Sequence, residues 1–153
     1  VNIESKLKEL KINLPKGPSP VGSYVAYKKI NDIIYISGQL PIDEKGELLK
    51  GKLGFDINLE DAQKGSRLCC INILAQLKSA CNNNLDNVKN CIKITGFVNS
   101  TDNFIDQPKV INPASEILAV VFGDTGKHTR AAVSVNSLPL GACVEIDAIF
   151  QVK

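Results

Sequence analysis

"NLEDAQKGSRLCCINILAQLKSAC" occupies residues 58–81, and its spacing predicts one long helix. Asn58 offers a side-chain oxygen to the first free amides, and Glu60 and Asp61 place negative charge in the first turn. From Leu59 to about Cys81, apolar or small residues recur at Ala62, Gly65, Cys69, Ile73, Leu77 and Ala80, with Cys70, Leu74 and Cys81 alongside. That is the period of a helix with one buried face. "NNN" at 82–84 ends it. A helix with one wide apolar face needs a layer to lie on, and the flanking segments supply strands for it.

Upstream, Ile3 to Leu10 can form a short helix, and the proline- and glycine-punctuated "LPKGPSPVG" (14–22) reads as an extended loop. "SYVAYKKI" and "IIYISGQL" flank Asn31-Asp32 and predict a hairpin, because Asn and Asp tolerate the positive φ of a tight turn. Residues 41–54 read as a loop or minor hairpin. Downstream, "NCIKITGFVN" (90–99) alternates as a strand, and "STDNFIDQPK" reads as a loop. Asn112 and Pro113 read as N-cap and first residue of a second helix ending at Gly123. "HTRAAVSVN" (128–136) and "ACVEIDAIFQV" are closing strands joined by a turn around Pro139 and Gly141. The expected fold is α+β: one mixed sheet with two helices packed on one face, in a single domain spanning 1–153.

Composition narrows the chemistry. The chain has 153 residues, 44% hydrophobic and 22% charged, with a net charge of +2. No apolar run is long enough to span a membrane, and "VNIESKLKEL" has no signal-peptide core, so a cytoplasmic protein is expected. No lysine or arginine stripe forms, and nucleic-acid binding is not expected. Five cysteines without a CxxC pair, beside one histidine, exclude a Cys/His zinc site of known spacing. They read as buried free thiols. No metal or organic cofactor is expected.

His128 reads as a surface or loop-satisfied residue, and neither GxSxG nor GxGxxG is present. Sixteen lysines against only Arg67 and Arg130 make an arginine inside a strand informative, because its planar fork grips a carboxylate through two parallel hydrogen bonds. Glu145 lies in the last strand and can orient water or move a proton. If the two closing strands are neighbours, Arg130 and Glu145 share a cleft. A structural Arg–Glu ion pair explains the same two residues.

"VGSYVAY", "IIYISGQLP", "LDNVKNCIKITGFVNS", "DQPKVIN", "VFGDTGKHTRAAVSVNSLP" and "GACVEIDAIF" together resemble the RidA/YjgF/YER057c/UK114 family, from about Pro20 to Val152. The stretch around "GFVNSTDNFIDQPKVIN" resembles a longer YjgF-like subgroup. The resemblance implies a chorismate-mutase-like fold, and a homotrimer with clefts between subunits. It implies hydrolysis of reactive 2-enamino and 2-imino acids to 2-keto acids and ammonia. Family members have also been described as endoribonucleases or translation inhibitors. By the same resemblance, Arg130 takes the substrate carboxylate and Glu145 positions the water. Tyr24, Ser37, Gly38 and Asn112 join the substrate-binding set, with Asn112 also read as the N-cap. One departure stands out: many members carry cysteine two residues after the arginine, where this chain has Ala132.

The expected partner is a small carboxylate-bearing enamine or imine, and the expected class is a 2-iminobutanoate/2-iminopropanoate-type deaminase. The rival class is a non-catalytic carboxylate-binding or chaperone-like module, which would keep Arg130 without depending on Glu145. A third reading is an RNA-cleaving protein.

Overall fold

The computed structural model describes residues 2–153. The long helix forms where its spacing predicts it. Helix α2 runs Leu59–Ala80, and Asn58 Oδ1 accepts a 2.8 Å hydrogen bond from the Asp61 amide. Asn82 and Asn83, both with positive φ, turn the chain away from it. Helix α1 (Ile3–Glu9) is capped by Asn2, buries Leu7, and ties to α2 through Glu4–Lys78 at 2.8 Å. Strands β1 (Tyr27–Ile30) and β2 (Ile33–Gln39) form the expected hairpin, with Asn31 at φ 55.

After β3 (Val88–Asn99), the second helix departs from expectation. Helix α3 runs Gln107–Phe122, so Asn112 is not its N-cap and Pro113 lies inside it. Asp106 precedes the first turn, and a proline, Pro108, occupies that turn. Proline has no N–H, so Pro113 leaves the carbonyl of Lys109 without its helical donor. Gln63 Nε2, on α2, donates to that carbonyl at 2.9 Å. A side chain of the neighbouring helix thus replaces the bond that Pro113 cannot make. The helix ends at Gly123, whose φ is 67.

Strands β4 (Thr129–Val135) and β5 (Val144–Val152) complete one five-stranded sheet of order β1-β2-β5-β3-β4. Only β3 and β4 pair in parallel. The closing strands are therefore not neighbours, because β3 lies between them. The segment joining them crosses the end of β3: the Ser100 amide bonds the Val135 carbonyl, and the Asn99 amide bonds the Cys143 carbonyl. The connections β2-α2-β3 and β3-α3-β4 both move in the same direction across the sheet. Crossovers of one hand then put both helices on one face, as expected.

That face holds the core. Ile34, Ile94, Ile146 and Phe150 of the sheet are fully buried, as are Ile73, Leu74, Ile111 and Leu118 of the helices. Each such side chain contributes roughly 1.5–3 kcal/mol relative to exposure. Gly96 lets α3 approach, since a β-carbon there would overlap the Ile111 side chain. The opposite face has no helix over it. Tyr35 is 48% exposed and Val133 44% exposed there. Phe97, Ile149, Glu145 and Asp147 lie between them on the same face, half-buried.

Candidate functional site

Residues paired across a sheet point to the same side. Arg130 pairs with the fully buried Ile94, so it projects from the helix-covered face of the edge strand β4. Its Nη1 donates to Asn112 Oδ1 at 2.8 Å and to Ser115 Oγ at 3.3 Å. Asn112 and Ser115 are three residues apart on α3 and so lie on one side of it. No acidic side chain among the described residues pairs with Arg130. Two neutral groups hold the guanidinium by one nitrogen and leave its Nε–Nη2 edge without a protein partner among those residues. The structural Arg–Glu ion pair is not formed within the chain.

Ser115 has a second partner that the sequence reading missed. Its Oγ lies 2.8 Å from His128 Nε2, and His128 Nδ1 lies 2.7 Å from the Gly126 carbonyl. A carbonyl only accepts, so Nδ1 carries the proton, and Nε2 of the neutral ring accepts from the Ser115 hydroxyl. The signal was present as spacing: 112 and 115 share a helix face, and 128 and 130 point the same way along an extended segment. Reading Asn112 as the start of the helix hid the first half of it.

Glu145 lies elsewhere. It pairs with Phe97 on the open face of the sheet, against Gly38 of β2. A β-carbon at position 38 would overlap the Glu145 carboxylate, so only glycine allows this approach. Burial, and secondarily the Asp147 carboxylate, push the Glu145 pKa above its ordinary value. Burial also raises Asp147, against hydrogen bonds from Thr95. The register break between Ile36 and Gln39 lets Ser37 and Gly38 leave the regular ladder. Ser37 Oγ donates to the Val25 carbonyl at 2.7 Å. Tyr24 and Gly38 line one small pocket of about 40 Å³ with Pro18, Pro20 and Leu40.

The six residues expected in the site thus fall into two groups. Arg130 and Asn112 meet at the β4–α3 edge, while Tyr24, Ser37, Gly38 and Glu145 gather around the β2 bulge. Within one chain the groups lie on opposite faces of the sheet, so Arg130 and Glu145 do not share an intrachain cleft. The expectation that they would rested on β4 and β5 being neighbours.

No thiol stands by the arginine. Ala132 occupies that position, half-buried on the Arg130 side of β4. All five cysteines are free and buried. Cys143 packs against Gly65 of α2, and burial pushes it up to about 11, which keeps it protonated and unreactive. Among the described residues, no group of three or more His, Cys, Asp or Glu side chains converges as a metal site. Among the described residues, no helix is long and apolar enough to cross a membrane.

The architecture defines a class: an α+β domain with a mixed sheet, both long helices on one face, and a neutral-braced arginine on its parallel edge strand. The model of the YjgF/chorismate mutase-like endoribonuclease family matches residues 4–150, and the chain belongs to that family. It is 36% identical over 152 residues to protein TCP17 of Trypanosoma cruzi, covering 99% of this chain and 94% of that one. The crystal structure of Atu1372 from Agrobacterium tumefaciens, a protein of unknown function, is 43% identical with a TM-score of 0.92. That alignment covers 99% of this chain and 92% of Atu1372. RidA from the Antarctic bacterium Psychrobacter sp. PAMC 21119 is 27% identical with a TM-score of 0.62, covering 92% and 97% of the two chains.

Proposed function

We propose that the protein is an enamine/imine deaminase that assembles as a homotrimer, with each site built between two copies. The observation that carries this reading is the Arg130 guanidinium, braced by Asn112 and Ser115, with neither a partner on its Nε–Nη2 edge nor an acidic partner among the described residues. That edge fits a carboxylate through two parallel charge-assisted hydrogen bonds. Glu145, half-buried against Gly38, supplies the complementary group from the next copy. The open sheet face, with Tyr35 and Val133 exposed, is the surface that association would cover.

In this mechanism an enamine first takes a proton at C3 and becomes the iminium. Arg130 holds the carboxylate and so fixes the position of C2. Water attacks C2, its proton passes to Glu145, and the C=N electron pair moves to nitrogen. The proton then passes from Glu145 to the amine. The C–N bond breaks as the hydroxyl proton is lost and the 2-keto group forms, releasing ammonia. A raised carboxyl pKa favours this exchange, because a base nearer the working pH both takes and returns its proton. Positioning and charge complementarity carry the reaction, with no metal or organic cofactor invoked. Tyr24 and Ser37 shape the cleft beside Gly38.

The test is keto-acid release from freshly generated 2-aminoacrylate or the imine of leucine. Acceleration over buffer supports the reading, and a rate equal to buffer contradicts it. An unchanged rate in Arg130→Ala contradicts the residue assignment. Carboxylate binding without turnover, unaltered in Glu145→Gln, identifies the non-catalytic binding module instead.

A further inference from the structure

Ser115 enters the deamination above only as a brace of Arg130 and His128 has no part in it, yet the two are joined by a directed run of hydrogen bonds. The Gly126 carbonyl accepts from Nδ1, Nε2 accepts from the Ser115 hydroxyl, and Ser115 Oγ accepts from Arg130 Nη1. The two ends of the chain are single-role groups, a carbonyl that accepts and a guanidinium that donates, and in the neutral ring Nε2 is left to accept from the Ser115 hydroxyl. The anchor is rigid as well. Gly126 packs directly on α3, where a β-carbon would overlap the Leu118 carbonyl, and Thr125 Oγ1 donates to the Phe122 carbonyl at 3.0 Å. A hydroxyl on a base, with the base oriented by a third group, is the arrangement that activates a serine. Ser115 and His128 are half-buried and Asn112 is exposed, so the pair lies at the rim of the β4–α3 edge and not in the core.

We propose that Ser115 is a nucleophile activated by His128, and that this site hydrolyses small acyl compounds carrying a second, free carboxylate, such as monoesters and monothioesters of dicarboxylic acids. The proposal takes from the deaminase reading only the carboxylate-holding role of Arg130. The Nε–Nη2 edge holds the free carboxylate, and the acyl carbon comes to Ser115 on the Nη1 side. Ser115 Oγ bonds to that carbon as its proton passes to His128 Nε2, and the carbonyl electron pair moves to oxygen. The Nη1 hydrogen that reaches Ser115 Oγ in the resting site is the donor nearest this oxyanion. The tetrahedral centre collapses, the alcohol or thiol leaves with the proton from His128, and an acyl-serine remains. Water, deprotonated by His128, attacks the acyl-serine. The acid leaves as the proton returns to Ser115.

The experiment treats the folded protein with a fluorophosphonate and maps the adduct by mass spectrometry. The expected result is one adduct on Ser115, absent in Ser115→Ala and formed about 100-fold more slowly in His128→Gln, the loss typical of removing a general base. No adduct on Ser115 of the wild-type protein overturns the proposal, as does an unchanged rate in His128→Gln. Substrate class is read by comparing the 4-nitrophenyl monoester of succinic acid with 4-nitrophenyl acetate. Preference for the succinyl ester by about tenfold or more, lost in Arg130→Ala, is expected. Equal rates on the two esters overturn the substrate assignment. An adduct in a protein that releases no keto acid from imines refutes the deaminase reading alone. Imine turnover without an adduct refutes this proposal alone.

Discussion

Arg130 and Glu145 stand on opposite faces of the same sheet. The register fixes this: Arg130 is level with the buried Ile94, and Glu145 is level with Phe97 on the face no helix covers. An edge strand on one side and a bulge on the other present them outward. A site that uses both needs a second copy of the chain.

The bracing of Arg130 has a measurable order of effects. Arg130→Ala removes the charge and the fork, and should lower kcat/KM for imine hydrolysis by about 10- to 100-fold. Arg130→Lys keeps the charge but loses two-point recognition, so it should recover only part of that loss. Asn112→Ala leaves the guanidinium with Ser115 as its remaining brace and should show a smaller loss, expressed mainly in KM. Steady-state kinetics on a freshly generated imine ranks the three. A loss in Asn112→Ala as large as in Arg130→Ala contradicts the bracing role.

Two glycines separate function from folding. At Gly38 an added methyl displaces the Glu145 carboxylate. Gly38→Ala should therefore cost activity, about 100-fold for a displacement near 1 Å, with little change in unfolding midpoint. At Gly96 the methyl meets the Ile111 side chain in the core. Gly96→Ala should instead destabilise by about 1–3 kcal/mol, read from urea unfolding. If Gly38→Ala unfolds as easily as Gly96→Ala, the position of Glu145 is not what Gly38 protects.

The two carboxyls of the open face set a pH dependence of stability. Glu145 and Asp147 both titrate above their ordinary values of 4.5 and 3.8, chiefly because burial disfavours the charged form. Between ordinary and raised values the folded chain holds protons that the unfolded chain has released. Stability therefore falls as pH rises through that window and levels off above it. Glu145→Gln removes its share of the effect. Its melting temperature should exceed wild type at about pH 7.5, with the advantage shrinking toward about pH 4. A constant offset across that range contradicts the assignment.

Much of this was readable from the sequence, and the failures have physical causes. The α2 pattern from Asn58 to Ala80 was legible because an N-cap, first-turn acids and a buried stripe all agreed. The β1–β2 hairpin was legible for the same reason, with Asn31 at the turn. Asn112-Pro113 imitated a helix start because proline is ordinarily excluded from helix interiors. Here the missing bond is replaced from outside by Gln63, a contact no local pattern encodes. The neighbours of β5 were not legible either. Its placement between β2 and β3 depends on both crossovers moving the same way across the sheet. That expectation put Arg130 and Glu145 in one cleft of one chain, where the structure sets them on opposite faces of the sheet. Ser115 and His128 escaped because they act as a pair only once α3 and β4 are packed together.

The central claim is that each site draws Arg130 from one copy and Glu145 from another, and subunit complementation measures it directly. Arg130→Ala and Glu145→Gln proteins, each impaired alone, are unfolded together in equal amounts and refolded, and imine hydrolysis is assayed. Random mixing leaves about a quarter of the interfaces with both native residues, so about a quarter of wild-type activity should return. Activity no greater than that of the two variants refolded separately would contradict a site shared between copies.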